Sequence, residues 1–336
     1  METVENALSP NLPPQSTGKG AGWKILVGII LGFSIIANLV LLTALAASII
    51  IFAASKGEYL LEKVMEEGPA ANKIAVIKIE GIIDNQLAEE VSQQIKAAKK
   101  DKSVKAVIFR TNSPGGSVSG SDRIYDQICR FREETGKPAV AFMETVAASG
   151  GLYTSCGCDK IIAEPTAITG SIGVIMGSFV LQDLFEQKLG IKPVIVKSGP
   201  KKDWPTIFEP VTEEQVQYIN EKLITPAYER FLGIVAKSRK DVLTIEQVRV
   251  LADGSIYGAK EALDDKLIDE IGYMEEAIKL AKTLAKITDA KVVEYEKPFS
   301  FESFLGTKSI FRLDRNSIYK LTTPQLMYLW DSGFSR

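Results

Sequence analysis

The sequence predicts an α/β fold: a mostly parallel sheet flanked by helices, preceded by one N-terminal transmembrane helix. Three observations predict it. An uncharged apolar run lies near the N-terminus, short β-branched runs then alternate with longer helical patterns, and Gly/Ser-rich turns fall just after three of the strand candidates. With 336 residues, 46% hydrophobic and 24% charged, the chain is long enough to bury a sizeable core.

Taken in order, residues 1–23 are rich in Pro, Ser, Gly and Asn with little to bury, and read as a flexible tail. Residues 24–55 follow as the transmembrane helix. The run from Ile25 to Ala54 holds no charged residue and exceeds the roughly 20 residues that cross a bilayer. It is also longer than the roughly 7–15-residue apolar core of a cleaved signal peptide, the competing reading that Ala53, Ala54 and Ser55 encourage. Lys19 and Lys24 on one side balance Lys56 and Lys63 on the other, so charge sets no orientation.

Residues 56–72 read as a linker with a polar helical stretch around Glu58 to Glu67. From 73 to 297 the pattern is that of repeated βαβ units. Strands are expected at Ile74–Ile79, Val104–Arg110, Ala139–Met143, Lys160–Ala163 and Val194–Lys197, with helices at Leu87–Lys99, Ser121–Glu134, Leu181–Leu189 and Glu213–Ser238. A further helical stretch, Lys260 to Lys286, and a last strand, Lys291–Glu296, complete the domain. In the tail, 298–336, the apolar run Gln325–Trp330 is expected to dock on the body or on a neighbouring subunit.

Composition narrows the chemistry. The chain has no histidine, which removes the commonest general base and metal ligand, so acid-base work falls to Asp, Glu, Lys, Tyr or Cys. Cys129, Cys156 and Cys158 are too few for a disulfide framework, and without histidine they do not complete a zinc site. No metal and no cofactor are expected. A formal net charge of −2, with no basic stripe interleaved with aromatics, argues against a nucleic-acid partner.

The glycine turns are Ser113-Pro114-Gly115-Gly116, Ala148-Ser149-Gly150-Gly151 and Thr169-Gly170-Ser171-Ile172-Gly173. In open α/β sheets ligands gather at the carboxyl ends of strands, so three such turns point to one active edge. A serine opening a helix after such a turn, as Ser149 does, has its hydroxyl near backbone N–H groups able to face an oxyanion. The ordinary reading of the same residue is an N-cap. With no histidine, lysine is the natural base for a serine nucleophile when burial keeps its amine neutral. Lys201 and Lys202 follow the strand expected at Val194–Lys197, and spacing alone does not choose between them or set them apart from a solvated surface pair.

At this point the residues resemble a known family, the signal peptide peptidases of the SppA type, in their short bacterial form. These are serine peptidases with a ClpP/crotonase-type fold. The resemblance covers roughly Lys73 to Leu280 and rests on five motifs in order: Ser-Pro-Gly-Gly at 113–116, Ala-Ala-Ser-Gly-Gly at 147–151, Thr-Gly-Ser-Ile-Gly-Val at 169–174, Lys-Ser-Gly-x-x-Lys-Asp at 197–203 and Asp-Gly-Ser-Ile-Tyr at 253–257. It implies Ser149 as nucleophile, Lys202 as general base because it precedes Asp203, Ser171 as the residue orienting the lysine, and the N–H groups of Gly116 and Gly150 as oxyanion donors. Leu152 stands where the family commonly has an aromatic, a departure that bears on substrate preference. The resemblance further implies peptide substrates, remnant signal peptides and other apolar peptides among them. It also implies a homo-oligomer with active sites completed between adjacent subunits, held at the cell membrane by a single span with the catalytic domain outside the cytoplasm. The competing expectations are a related protease acting on membrane proteins and a non-catalytic scaffold of the same fold.

Overall fold

The computed structural model describes residues 21–54, 60–296 and 325–330. The expected tail over 1–20, residues 55–59 of the linker and most of 298–336 lie outside the described residues. Two compact units divide at Tyr59 and Leu60.

The first unit contains α1 (Ala21–Ala54), a single helix. Its Gly22–Ile49 portion is long and apolar enough to cross a membrane, and none of it is buried within the protein. Beyond Lys24 the helix carries no charge and is apolar all round, so it has no face to give to water.

The second unit is built in chain order from β1 (Leu61–Glu66), β2 (Lys73–Glu80), α2 (Asn85–Lys100), β3 (Val104–Ser113), β4 (Gly115–Ser117), α3 (Val118–Thr135), β5 (Ala139–Ala148), α4 (Gly150–Ser155), β6 (Lys160–Ala163), β7 (Ile168–Gly170) and β8 (Ile175–Met176). It continues through α5 (Glu213–Ile219), α6 (Thr225–Ser238), α7 (Ile245–Leu251), β9 (Ile256–Gly258), α8 (Ala259–Asp264), β10 (Glu270–Ile271), α9 (Met274–Leu284), β11 (Lys291–Glu296) and β12 (Leu326–Leu329).

The main sheet runs β1-β11-β2-β3-β5-β6-β10, with β7 and β9 extending it beside the end of β5. From β11 to β10 the neighbours are parallel. Strands covered on both faces read as near-continuous apolar runs, and β2 obeys: Ile74, Ala75, Val76 and Ile77 are all fully buried. One face packs Val91, Ile95, Ile124, Ile128 and Phe131 of α2 and α3 against Ile77, Val107 and Phe109. The other packs Ala277, Ile278 and Ala281 of α9 against Ile74, Ile108 and Phe142. The helix ends carry their own stop signals. Asp84 caps α2 by accepting the N–H groups of Gln86 and Leu87 at 2.9 Å, and Gly136 ends α3 at a φ of +67°.

Several expected elements differ. The linker stretch from Leu61 is a strand, not a helix: β1 pairs antiparallel with β11, where its polar side chains form cross-strand ion pairs such as Lys63–Glu296 at 3.6 Å. An edge strand takes its stability from backbone pairing, so its exposed side chains imitate a solvated helix face. The expected strand Val194–Lys197 does not form: among the described residues no strand offers its V-I-V run an edge. Val194 and Val196 stand 88% and 95% exposed. The continuous stretch Lys260–Lys286 is broken by Lys266 at a φ of +61° and by β10, which adds to β6. The helix expected over Glu213–Ser238 is unbroken but widens to a π turn at Asn220–Ile224, just before Pro226, whose missing N–H removes one regular helical bond.

Candidate active site

β5 ends at Ala148, and α4 begins at Gly150, so Ser149 occupies a strand-to-helix turn of one residue. The turn is sharp enough to force Ser149 to a φ of +53° and a ψ of −112°, a conformation that non-glycine residues rarely adopt. Its own N–H donates to the carbonyl of Gly170 at 2.7 Å, and its carbonyl accepts from Tyr153 at 2.9 Å. The hydroxyl makes no cap hydrogen bond, so the ordinary role of an N-cap serine is not the one it plays.

β7 lies parallel beside β5 in a register that pairs Ala148 with Gly170, which brings Ser171 next to Ser149. Ser171 also has a positive φ, +49°, and its N–H is held by the carbonyl of Ser255 at 2.6 Å. The Asp253–Tyr257 motif that supplies this carbonyl therefore braces the serine turn from the far side.

The 113–116 turn supplies the third wall. The Ser113 hydroxyl donates to the carbonyl of Gly81 at 2.6 Å and accepts the N–H of Gly115 at 3.0 Å, so Gly115's amide is already committed. Gly116 has to be glycine: a Cβ there would sit 2.1 Å from the carbonyl oxygen of Ile83. Gly150 is equally confined. A Cβ on it would lie 2.5 Å from Ser121 Oγ and 3.2 Å from Gly116 N, which puts the two glycine amides in one small space. Gly150 opens α4, so its N–H is one of those with no intrahelical acceptor.

β12 lies in the groove over these glycines. It pairs antiparallel with β4 on one side and with β8 on the other, with Tyr328 opposite Gly116 and Leu329 opposite Gly115. The Trp330 N–H donates to the Pro114 carbonyl at 2.8 Å. Antiparallel pairs alternate between hydrogen-bonded and non-bonded, so the next bonded pair is Tyr328 with Gly116, and the Gly116 N–H faces the Tyr328 carbonyl. A Cβ built on Gly115 would fall 2.0 Å from that carbonyl oxygen and 2.7 Å from Gly150 N. The Tyr328 carbonyl thus faces the Gly116 amide, in the small space that the Gly150 amide also borders, where an oxyanion hole would lie.

The Tyr328 side chain enters a pocket that patterning alone did not single out. It is fully buried, stacks on Tyr153 at 4.8 Å between centroids, lies 4.8 Å from Phe231, and donates its hydroxyl to the Ala227 carbonyl at 2.8 Å. Tyr153 follows Ser149 by four residues, one turn along α4. That spacing is the signal in the sequence that could have found it. The Tyr153 hydroxyl is anchored to Asp122 at 2.6 Å, and Arg230 holds the same carboxylate through Nε at 2.9 Å. Burial first, and the Asp122 hydrogen bond second, push the Tyr153 phenol well above its ordinary value, so it stays neutral.

Lys202 is placed differently. It lies in an exposed turn, and among the described residues its amine has no hydrogen bond or ion pair; within one chain no hydrogen bond joins it to Ser149 or Ser171. Lys197 pairs with Asp203 at 2.8 Å across the same turn. Among the described residues no group of His, Cys, Asp and Glu could hold a metal ion. Cys156 and Cys158 are buried, and burial pushes the Cys156 thiol up to about 12, which suits inert packing residues.

A parallel sheet whose carboxyl edge carries a strained serine, paired glycine amides and a groove that takes an extended chain defines a hydrolase acting on peptides. The sequence relatives agree. Residues 132–288 match the family described as peptidase family S49, and residues 73–181 match the NfeD1b N-terminal domain. A candidate signal peptide peptidase SppA of Enterococcus faecium is 36% identical over 74% of this chain and 74% of its own length. A protease of Synechocystis sp. is 36% identical over 67% of this chain and 80% of its own. Protease 4 of Haemophilus influenzae is 37% identical over 71% of this chain and 39% of its own. Among solved structures, ClpP1 of Listeria monocytogenes superposes with a TM-score of 0.41 at 19% identity, over 60% of this chain and 94% of that one. The chain belongs to peptidase family S49, a family of serine proteases.

Proposed function

We propose that the chain is a membrane-anchored serine endopeptidase in which Ser149 is the nucleophile and Lys202 the general base, hydrolysing remnant signal peptides and other apolar peptides. The observation that most supports this reading is the Tyr328 carbonyl facing the Gly116 amide, in the small space that the Gly150 amide also borders, next to the turn that carries Ser149.

A substrate adds to the same groove as a strand between β4 and β8, replacing β12, and main-chain hydrogen bonds hold it. The residue before the scissile bond fills the Tyr153–Phe231 pocket. Ser149 Oγ attacks the carbonyl carbon, and its proton passes to the amine of Lys202. The oxyanion is held by Gly116 and Gly150, and as the C–N bond breaks the proton moves on to the leaving amine. Water then attacks the acyl-enzyme, again losing its proton to Lys202, and the peptide acid is released as Ser149 recovers its proton. Ser171 orients the lysine amine.

Among the described residues Lys202 is exposed and its amine has no partner, and this supports a base delivered to the Ser149 of an adjacent copy. The exposed run around Val194 and Val196 gives such a copy an apolar surface to cover. α1 anchors the assembly in the membrane, with the catalytic unit outside the cytoplasm.

The test is complementation. Ser149→Ala and Lys202→Ala are each expected to lower peptide hydrolysis by about 10³-fold or more while the oligomer persists. Co-assembling the two inactive variants should restore a substantial fraction of activity, because one interface in the mixture joins an intact Ser149 to an intact Lys202. Mixtures that stay as inactive as their parents would sink the shared site, and activity retained in Lys202→Ala would sink the base.

A further inference from the structure

We infer that Lys201 is the positioning residue for the base: its ammonium, docked between Trp204 and Tyr218, locks the turn that presents Lys202. The inference rests on Lys202 being the base.

The two lysines are neighbours in sequence but have opposite surroundings. Lys201 Nζ lies 4.9 Å from the centroid of the Trp204 ring and 4.5 Å from that of Tyr218. The two rings meet edge to face, with centroids 5.9 Å apart at 81°. Aromatic faces attract a cation at this range. Glu214 approaches the same ammonium at 3.8 Å. Tyr218 and Glu214 both belong to α5, whose start is fixed by a capping box between Thr212 and Gln215, so the cage ties the turn to a set element.

Inside the turn the Lys202 N–H donates to the Gly199 carbonyl at 3.2 Å, and the Trp204 N–H donates to the Lys201 carbonyl at 3.4 Å. The Lys197–Asp203 pair closes the other side. The turn is thus clamped at both flanks, and Lys202 between them is the lysine left with an uncommitted amine. An amine held between two ring faces and beside a carboxylate is poorly placed to collect a serine proton; one held out on a fixed turn is well placed to be inserted into another site. This resolves on physical grounds the choice between two adjacent lysines that spacing left open.

The experiment compares kcat and KM for an extended peptide across Lys201→Met, Lys201→Arg, Trp204→Leu and Lys202→Ala in the full-length oligomer, with assembly and thermal melting checked in parallel. Misplacing a reacting group by about 1 Å costs up to about 100-fold in rate. Lys201→Met and Trp204→Leu are therefore expected to lower kcat about tenfold or more with KM within about twofold. Lys201→Arg should recover most of the loss, because a guanidinium stacks on the same rings. Full activity in Lys201→Met beside an inactive Lys202→Ala overturns the positioning role and leaves the base assignment intact. Equal loss in Lys201→Met and Lys201→Arg, with folding and assembly unchanged, overturns it by showing that the Lys201 amine itself is required. Activity retained in Lys202→Ala overturns the reading beneath it.

Discussion

The serine edge and the lysine segment are two halves of one proposed reaction, yet the chain builds them by opposite means. Ser149 is 1% exposed, sits at a strained φ, and is fixed by a hydrogen bond to β7 and by glycines that admit no side chain. The segment from Ile191 to Lys202 has no strand neighbour among the described residues, leaves Val194 and Val196 bare, and ends in a turn held by its own flanks and by two residues of α5. Strain persists only where packing over-determines it, and the first region shows that packing. The second has the solvent-facing apolar surface of a segment that finds its packing elsewhere. One half is finished within the chain, and the other, in the proposed reading, is completed by a second copy.

Three perturbations break or sharpen this contrast. The largest effect is expected from Gly116→Ala, because the added Cβ meets the Ile83 carbonyl at 2.1 Å and must shift an amide proposed to stabilise the oxyanion. Loss of such a donor costs about 10²–10³-fold in kcat, and kinetics alongside a thermal melt separate that loss from unfolding. Next, Val196→Asp is expected to leave the melting of the isolated catalytic unit within about 0.5 kcal/mol of the parent, since the side chain is already 95% exposed. The same change should lower activity about tenfold through weakened association, read as a rate that falls on dilution. An unaltered concentration dependence would contradict the awaited partner. The smallest effect should follow Tyr328→Ala, which empties the pocket beside Ser149. Turnover of a dilute peptide is expected to rise by about three- to tenfold as β12 releases the groove, with kcat at saturation unchanged; a fall would mean that the strand supports the site.

Legibility followed the same division. The parallel strands were readable because burial on both faces leaves an unbroken apolar run, as in β2 and β3. The glycine turns were readable because close backbone approach excludes side chains at Gly116 and Gly150. What misled was sequence whose conformation depends on what lies beside it. Leu61–Glu66 is a strand because β11 offers it an edge, and Val194–Lys197 is not one because no strand among the described residues does. The Tyr153–Phe231 pocket was hidden for a related reason: its walls come from α4 and α6, far apart in sequence, and the residue that fills it is Tyr328. Spacing does not separate Lys201 from Lys202; in the proposed reading the family motif and the aromatic cage around Lys201 do.

The strand in the groove has a thermodynamic consequence. β12 is joined covalently to the domain it occupies, so its local concentration is set by the tether and not by how much protein is in the tube. Tethering of this kind gives effective concentrations up to the order of millimolar, set by the length of chain between the two. A free peptide with the same intrinsic affinity must reach that level before it occupies half the sites, whatever the dilution. Apparent KM values of the intact chain would then report a competition with its own terminus, and weak turnover of small reporter peptides would measure that competition as much as the chemistry at Ser149.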